Sequence, residues 1–558
     1  MADFYVDGNA SDTGDGSLAS PWNRLEQIEL YDTNTGFAPG DRILFKRGTF
    51  VTSQNAKYVA VNGGTADSPI IFGTYYNDDG SDDETQLKPV IDCGNMNASD
   101  SWVEQSSQGL AGVWLGDYTG TVVNGLWEDL VWLPHAPSMD SITAGTWFWN
   151  HDSNPEYARD PAYADGIYYM PSDGADPSTH SLKRGNAKLS ISYSDLQYVE
   201  YHNLDLRGGW TCLFMANGAS SAENLYGLKS INCEYSESVE PLTFHFRNGF
   251  SVYENRAIGN IIHDTGHGIT QQSNSAGPEP LVGAVNRDNV VYNINTDGKF
   301  NTYKINNILD QEAFELQNPV NCIVERNIIY DIGAVGTNYG TGVIWWPHPT
   351  GGAMDNNRIN TNVLRRIHYS ALILGAGVDA PNTGGNQAAC NLIEETDSFG
   401  VRINTTSQNS YFANNTMVDC DTGIYAQAGC GEWQAVNNIV VSSGKTNTDF
   451  GSGSTVSADN NLYSGLNVFM HGGVSYDFGG WQAQTGNDGN SLFEDPLFVD
   501  PENGDYNLQK NSPCVGKGVK WWGNGPRPES LSGEPLPDAD IDLGAYQSTW
   551  SPNHPVNL

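Results

Sequence analysis

Basic residues are scarce in this 558-residue chain: 27 Lys and Arg stand against 66 Asp and Glu, for a formal net charge of −39. Such a field repels nucleic acids and anionic membrane surfaces, so neither is expected as a partner. Acidity spread along the whole chain suits a salt-tolerant surface or a saline habitat. Were the substrate itself a polyanion, the few cations would have to gather where it binds. Long apolar runs are missing too, and no stretch approaches the ~18 residues that a membrane span requires. Eight cysteines, at 93, 212, 233, 322, 390, 420, 430 and 514, form no CxxC pair and no metal-ligand spacing. Most read as small buried hydrophobes, although Cys420 and Cys430 could bridge one loop.

What the chain does have is Gly 62, Tyr 27 and Trp 15, with 17% charged residues, the composition of a turn-rich β protein. It also has a repeat. Asn203-LDL, Asn232-CEY, Asn260-IIHD, Asn289-VVYN, Asn327-IIYD, Asn362-VLRR, Asn391-LIEE, Asn415-TMVD, Asn438-IVVS and Asn461-LYSG recur at intervals of 23 to 38 residues. Each copy is a short β-branched or aromatic run, then turn residues, then a second run such as GITQQ, AFELQ or GVIWW. No segment of the array carries helical periodicity, so the runs read as short strands. Short coils with two or three strands, stacked on their neighbours, predict an all-β fold, a right-handed parallel β-helix. Asparagines at one repeated corner would stack, their amides bonding along the ladder.

A solenoid needs capped ends. SPWNRLEQIELY (20–31) predicts a short N-terminal helix with a Ser N-cap, Pro at the first helical position and Trp22, Leu25 and Ile28 on one face. Residues 100–188 hold six tryptophans, at 102, 114, 127, 132, 147 and 149. Their alternation of strand-like runs with Pro, Asp and Gly predicts an inserted β subdomain that could wall a cleft. The organisation expected is therefore 1–99, the cap and first coils; 100–188, the insertion; 189–480, the regular coils; and 481–558, the last coils and cap.

FYVDGNASDTGDGSLASPWNRLEQI, FAPGDRILFKRGTF and DSPIIFGTY resemble the N-terminal signature of secreted right-handed parallel β-helix proteins of the pectate-lyase-like superfamily. DPLFVDPENGDYNLQKNSPCVGKG and DIDLGAY resemble their C-terminal signature. The resemblance implies secretion and action on a polysaccharide. MADFYVDG has no basic or strongly apolar leader, so a signal peptide is expected to have been removed. The superfamily spans hydrolases, lyases, epimerases and adhesins, so the resemblance names no substrate. An adhesin trimer would be expected to carry a further region after the helix; the capping signature and the SPNHPVNL tail favour a monomer.

Setting the second strands in register aligns PLTFHFR, GITQQSN, AFELQNP, GVIWWPH, ALILGAG and GVRINTT. Alternation then sends Phe244, Gln271, Leu316, Trp345, Leu374 and Ile403 inward. His245, Gln272, Gln317, Trp346 and Asn404 point outward, with Thr243, Thr270, Glu315, Ile344, Ile373 and Arg402 as a second outward row. An inward Gln271 is an anomaly. Glu240, Glu312 and His267 fall at the corner before these strands, and His263 and Asp264 lie just upstream.

Glycoside cleavage wants two carboxyls, ~5 to 5.5 Å apart for retention and ~6.5 to 9.5 Å for inversion. The catalytic candidates are therefore Glu240, Glu312, Glu315 and His267, with Glu240 and Glu312 spaced two rungs apart as inversion would need. His245, Arg247, His263, Asp264, Gln272, Lys304, Gln317, Trp346, His348 and Arg402 are candidates for binding the sugar. Glu325 with Arg326, and Glu254 with Arg256, read instead as inter-rung ion pairs.

The leading expectation is an endo-acting glycoside hydrolase on a sulfated or uronate-containing polymer, a marine one if the acidity reflects habitat. It needs no cofactor. A lyase would need a base and a cation, often Ca²⁺, on the uronate; Lys304, Arg247, Arg256, His245, His267 and Tyr303 could serve, but the spaced Asp and Arg set of calcium-dependent pectate lyases is not found. DGNASDTGDGS (7–17) lacks the closing Glu of a calcium loop and reads as a solvated turn, so no metal ligands are assigned. A glycan-binding adhesin is the non-enzymatic alternative.

Overall fold

In the computed structural model the residues described are 1–11, 14–53, 63–95, 102–116, 126–128, 131–133, 135–136, 138–150, 160–180, 182–184, 188–191, 197–208, 211–216, 225–246, 251–273, 279–295, 311–334, 340–347, 352, 354–375, 384–404, 407–442, 444–522 and 527–548. Strand accounts for 48% of the chain and helix for 7%. The fold is a right-handed parallel β-helix. Contacts divide it into two compact units, Met1–Arg247 with Asn260–Thr270 and Ile294–Gln311, and Asn248–Gly259 with Gln271–Asn293 and Glu312–Leu558.

Each unit stacks its short strands in parallel ladders. In the first, one ladder runs Asp3–Val6, Arg42–Lys46, Ile70–Tyr75, Val199–His202 and Lys229–Ile231. A second runs Phe50–Ser53, Val90–Asn95, Asp205–Arg207, Glu234–Ser236 and Ile261–Thr265. A third joins Lys188–Ile191, Thr211–Ala216 and Leu242–Phe246. The insertion departs from this pattern as its composition suggested. Trp102–Glu104, Trp114–Gly116, Gly166–Met170 and Thr146–Asn150 form an antiparallel sheet over a core holding Trp147, Trp149, Ile167 and Tyr169. The side chains of Trp127 and Trp132 lie outside the described residues.

The N-terminal helix is Leu25–Asn34, shorter than the sequence predicted, and its N-cap is Arg24 rather than Ser20. Trp22 bonds instead as a strand to Tyr5 and Asp7, which holds Pro21 and Trp22 outside the helix. Gln27 then accepts from the backbone N–H of Asn23 and Arg24. Leu25 and Ile28 are buried, as expected.

The second unit carries the asparagine ladder. Asn289, Asn327, Asn362, Asn391, Asn415, Asn438 and Asn461 form a chain in which each Nδ2 donates to the Oδ1 of the next, at 2.9 to 3.0 Å. The backbone N–H of each rung also donates to the Oδ1 beyond it, so a row of buried amides satisfies both itself and the bend. Arg326, Thr361, Cys390, Asn414, Asn437 and Asn460, each just before a ladder asparagine, take φ of 53° to 59°. That left-handed residue turns the corner and sets the amide inside.

Asn203 and Asn232 are one residue out of this register. They occupy the left-handed position, with φ of 60° and 54°. Cys233 stands where a ladder asparagine would, its N–H donating to Asn260 Oδ1 at 2.9 Å. Seven cysteines are described, all buried and free. Cys420 and Cys430 therefore do not bridge; the Cys420 thiol points to the Val418 carbonyl of its own coil and the Cys430 thiol to the Ile403 carbonyl of the coil before.

A short helix the sequence reading did not anticipate, Phe478–Thr485, closes the ladder. Its Trp481 donates to Asp488, which also receives Tyr463, Ser491 and Asn461, the last rung. Of the predicted ion pairs, Arg326 lies on Asp288 and Glu325 on Arg287, across rungs. Among the described residues neither Glu254 nor Arg256 forms one.

Candidate active site

The predicted strand register holds in the second unit. Leu316 pairs with Trp345, Trp345 with Leu374 and Leu374 with Ile403, and all four are buried. Gln271 is also fully buried and does point inward; its Nε2 donates to the equally buried Asn286 at 2.9 Å. That amide bond meets part of the cost of burying Gln271; among the described residues its Oε1 and the Asn286 Nδ2 have no partner.

On the opposite face of these strands two rows follow. One places Glu315, Ile344, Ile373 and Arg402 on successive rungs and continues through Tyr425, Asp449 and Met470. The other starts with Gln317 beside Trp346. Glu315 and Gln317 are not solvated surface groups, as an outward row would suggest, but buried, at 8% and 0% exposure. Trp346, half-buried, donates Nε1 to Glu315 Oε1 at 2.8 Å. A buried carboxyl held by an indole is the first element of a candidate site. Glu312, 6% exposed, opens the same strand. Three residues of strand put the two backbones ~10 Å apart.

Arg402 is the second element. Its Nε donates to Asn404 Oδ1 at 2.9 Å, and its terminal nitrogen meets the Tyr369 hydroxyl. The guanidinium carbon lies 5.8, 5.8 and 5.7 Å from the ring centroids of Tyr369, Phe399 and Tyr425. These distances are within cation–π range. Asp449, half-buried one rung past Tyr425, has its carboxyl pushed upward by burial. It stands five rungs from Glu315, ~24 Å, too far to act with it on one bond.

Other candidates fall elsewhere. His263 and Asp264 lie in the strand Ile261–Thr265 of the first unit, which bends at Asp264, where φ is 52°. His263 bonds Asp264 at 2.7 Å and Glu234, one rung back, at 3.3 Å. Burial opposes its charge, but the two carboxylates outweigh it and hold the imidazole up at about 9. That ion cluster keeps the side chain occupied, a structural duty that the spacing HDTGH did not reveal.

His267 is at the turn that follows, where its carbonyl accepts from Thr265. Glu240 lies half-buried at the turn before Leu242–Phe246. Both belong to the first unit, whereas Glu312 and Glu315 belong to the second. Gln272 is half-buried on Ile269–Ser273, and His245 pairs with Ala216 through its backbone. The His245 side chain, Arg247, Lys304 and His348 lie outside the described residues. No group of three or more His, Cys, Asp or Glu gathers as metal ligands among the described residues.

Tyr369, Phe399, Tyr425 and Asp449 were missed because the alignment stopped at GVRINTT. One more rung, TGIYA, would have put Tyr425 beside Arg402. Tyr369 precedes the strand Ser370–Leu374, and Phe399 follows a register slip inside Leu392–Ile403, so period-two counting does not reach them.

No family model matches the chain, and no curated protein matches it. Solved structures do. One described as the complex of XylC with xylose superposes over 98% of this chain and 99% of its own, at 11% identity and a TM-score of 0.58. A glycoside hydrolase covers 83% of this chain and 97% of its own at 12% identity, with a TM-score of 0.45. The pectate lyase Pel9A covers 98% and 96% at 13% identity, with a TM-score of 0.42. The first of these likenesses, end to end and at low identity, shows the fold alone, a parallel β-helix.

Proposed function

We propose that the protein cleaves glycosidic bonds in an acidic polysaccharide, as an endo-acting glycoside hydrolase of which Glu312 and Glu315 are the carboxyl pair. The observation that carries this reading is the buried Glu315 carboxylate, hydrogen-bonded by Trp346 on the outward row. An indole offers a sugar both a stacking face and, through its N–H, a fixed partner for the carboxylate. A backbone separation of ~10 Å suits the wider carboxyl spacing, hence inversion with a water between. Glu240 stands as a third candidate, with His267 as a fourth. Paired-carboxyl chemistry calls for no cofactor. The fold's neighbours include enzymes named for glycoside and pectate cleavage, which supports a polysaccharide as substrate. Secretion and a monomeric state go with that reading.

A lyase is the second reading, and the contact of Arg402 with the Tyr369 hydroxyl favours it. The guanidinium would neutralise a uronate carboxylate, the Tyr369 phenolate would take the C5 proton, and the C4–O4 bond would break to form the C4–C5 double bond, the phenol returning that proton to the leaving oxygen. One assay separates the two. Acidic polysaccharides are digested while reducing ends and the near-ultraviolet absorbance of an unsaturated uronate are followed together. Reducing ends without absorbance are expected; absorbance rising with them overturns the hydrolase. Binding with neither signal points to a glycan-binding protein.

A further inference from the structure

In a chain this acidic, what surrounds each cation is informative. Arg42, Arg47, Arg207, Arg326 and Arg366 each lie on a carboxylate, of Asp3, Asp82, Asp205, Asp288 and Asp331. Arg402 is built differently. Its hydrogen bonds go to a neutral amide and a phenol, and its plane is held among three rings. Among the described residues no carboxylate pairs with it. Rings position a guanidinium without neutralising it, so its charge and remaining N–H donors stay available. Arg402, Tyr369, Phe399 and Tyr425 are all half-buried, which leaves the cage reachable from solvent.

Its place on the face matters as much. Glu315, Ile344, Ile373 and Arg402 share one row, three rungs, or ~14 Å, from carboxylate to cation. Between them are Ile344, half-buried, and Ile373, buried, an apolar stretch of which Ile344 is the part open to the ring face of a sugar. A glycan laid along the row would meet a carboxylate, then apolar surface, then a preorganised cation.

We propose that Arg402 and its ring cage form a subsite for a sugar oxyanion, a uronate carboxylate or a sulfate ester, several sugar units from the bond cut at Glu315. The proposal rests on the polysaccharide reading above but holds for hydrolase and lyase alike. It puts one cation of an acidic protein, held without a carboxylate partner, where a polyanion binds, because a guanidinium fork matches either oxyanion in a bidentate way. An acidic unit seated at Arg402 would then set the position of the cut.

Affinity electrophoresis of the full chain tests it, in gels containing polygalacturonate, a sulfated galactan or neutral xylan, with turnover measured alongside. Arg402→Gln is expected to lose about tenfold in retention by an acidic polymer and to keep that by xylan, with Arg402→Lys between. Carboxylate and sulfate are told apart by which acidic gel responds. Unchanged retention of Arg402→Gln in both acidic gels, or an equal loss in xylan, overturns the subsite. Wild-type protein retained by none of the three overturns the polysaccharide reading and the subsite with it. Glu315→Gln is expected to keep retention and lose turnover; if its turnover survives while the Arg402 effect stands, the catalytic assignment falls and the subsite remains.

Discussion

Two polar rows run along the coils of the second unit, and they are built on opposite principles. The inner row is Asn289 to Asn461, one residue type at one position, every amide bonded to the next. On the outer row Glu315, Ile344, Ile373, Arg402, Tyr425 and Asp449 differ at each rung. The inner row repeats because each coil has the same bend to satisfy. Nothing in the backbone asks for a carboxylate at one outer rung and a caged cation three rungs on, so that variation must answer to something outside the chain. Uniformity marks scaffold here, and its loss marks chemistry.

Four measurements would break or sharpen this contrast. The largest effect is expected at Glu315→Gln or Glu312→Gln: a fall in kcat of about a thousandfold, ~4 kcal/mol, with Tm unchanged. Full activity in both would leave the outer row without a catalytic role. Next is Asn391→Ala in the inner row, which strands the N–H and amide of Asn362 and the Ile359 carbonyl in a buried corner. A loss of about 3 kcal/mol is expected in denaturant unfolding, and a loss under 1 would show that the ladder bonds are replaceable.

Smaller is Trp346→Phe, which removes the indole N–H but keeps a ring. Turnover should drop about tenfold, ~1.4 kcal/mol, whereas an unaltered rate would make the contact with Glu315 incidental. The smallest is His263→Gln. The imidazole is raised to about 9 in the fold against ~6.5 unfolded, so its contribution is fully present below about pH 6.5 and vanishes as pH rises through about 9. The variant should lose about 1 to 2 kcal/mol at pH 6, after solvent screening, and almost nothing near pH 10. A pH-independent loss would mean that packing, not charge, holds this cluster.

The two rows were not equally legible. Asparagines at regular intervals announce the ladder directly, apart from Asn203 and Asn232, whose neighbours Leu204 and Cys233 occupy the inner position. Alternation placed Glu315, Gln317, Trp346 and Arg402 on one face, and that face is the one observed. It did not show that Glu315 and Gln317 are buried, since burial depends on what packs over a face and not on the face itself. HDTGH looked like a catalytic corner because five polar or small residues in a row suggest a turn. In the fold the chain does bend there, at Asp264 with φ of 52°, but His263 is engaged by Glu234 from the coil before it, a partner 29 residues away that no local pattern points to.

Period and composition by themselves determined the solenoid, its buried amide row, the antiparallel insertion and the strand register. All of these follow from interactions that recur at a fixed spacing along the chain. Only the tertiary structure decided that Trp346 holds Glu315, that Tyr369, Phe399 and Tyr425 surround Arg402, and that His263 is engaged by carboxylates. Those contacts join side chains from different coils, where rung slips and loop lengths that vary from turn to turn set which groups meet.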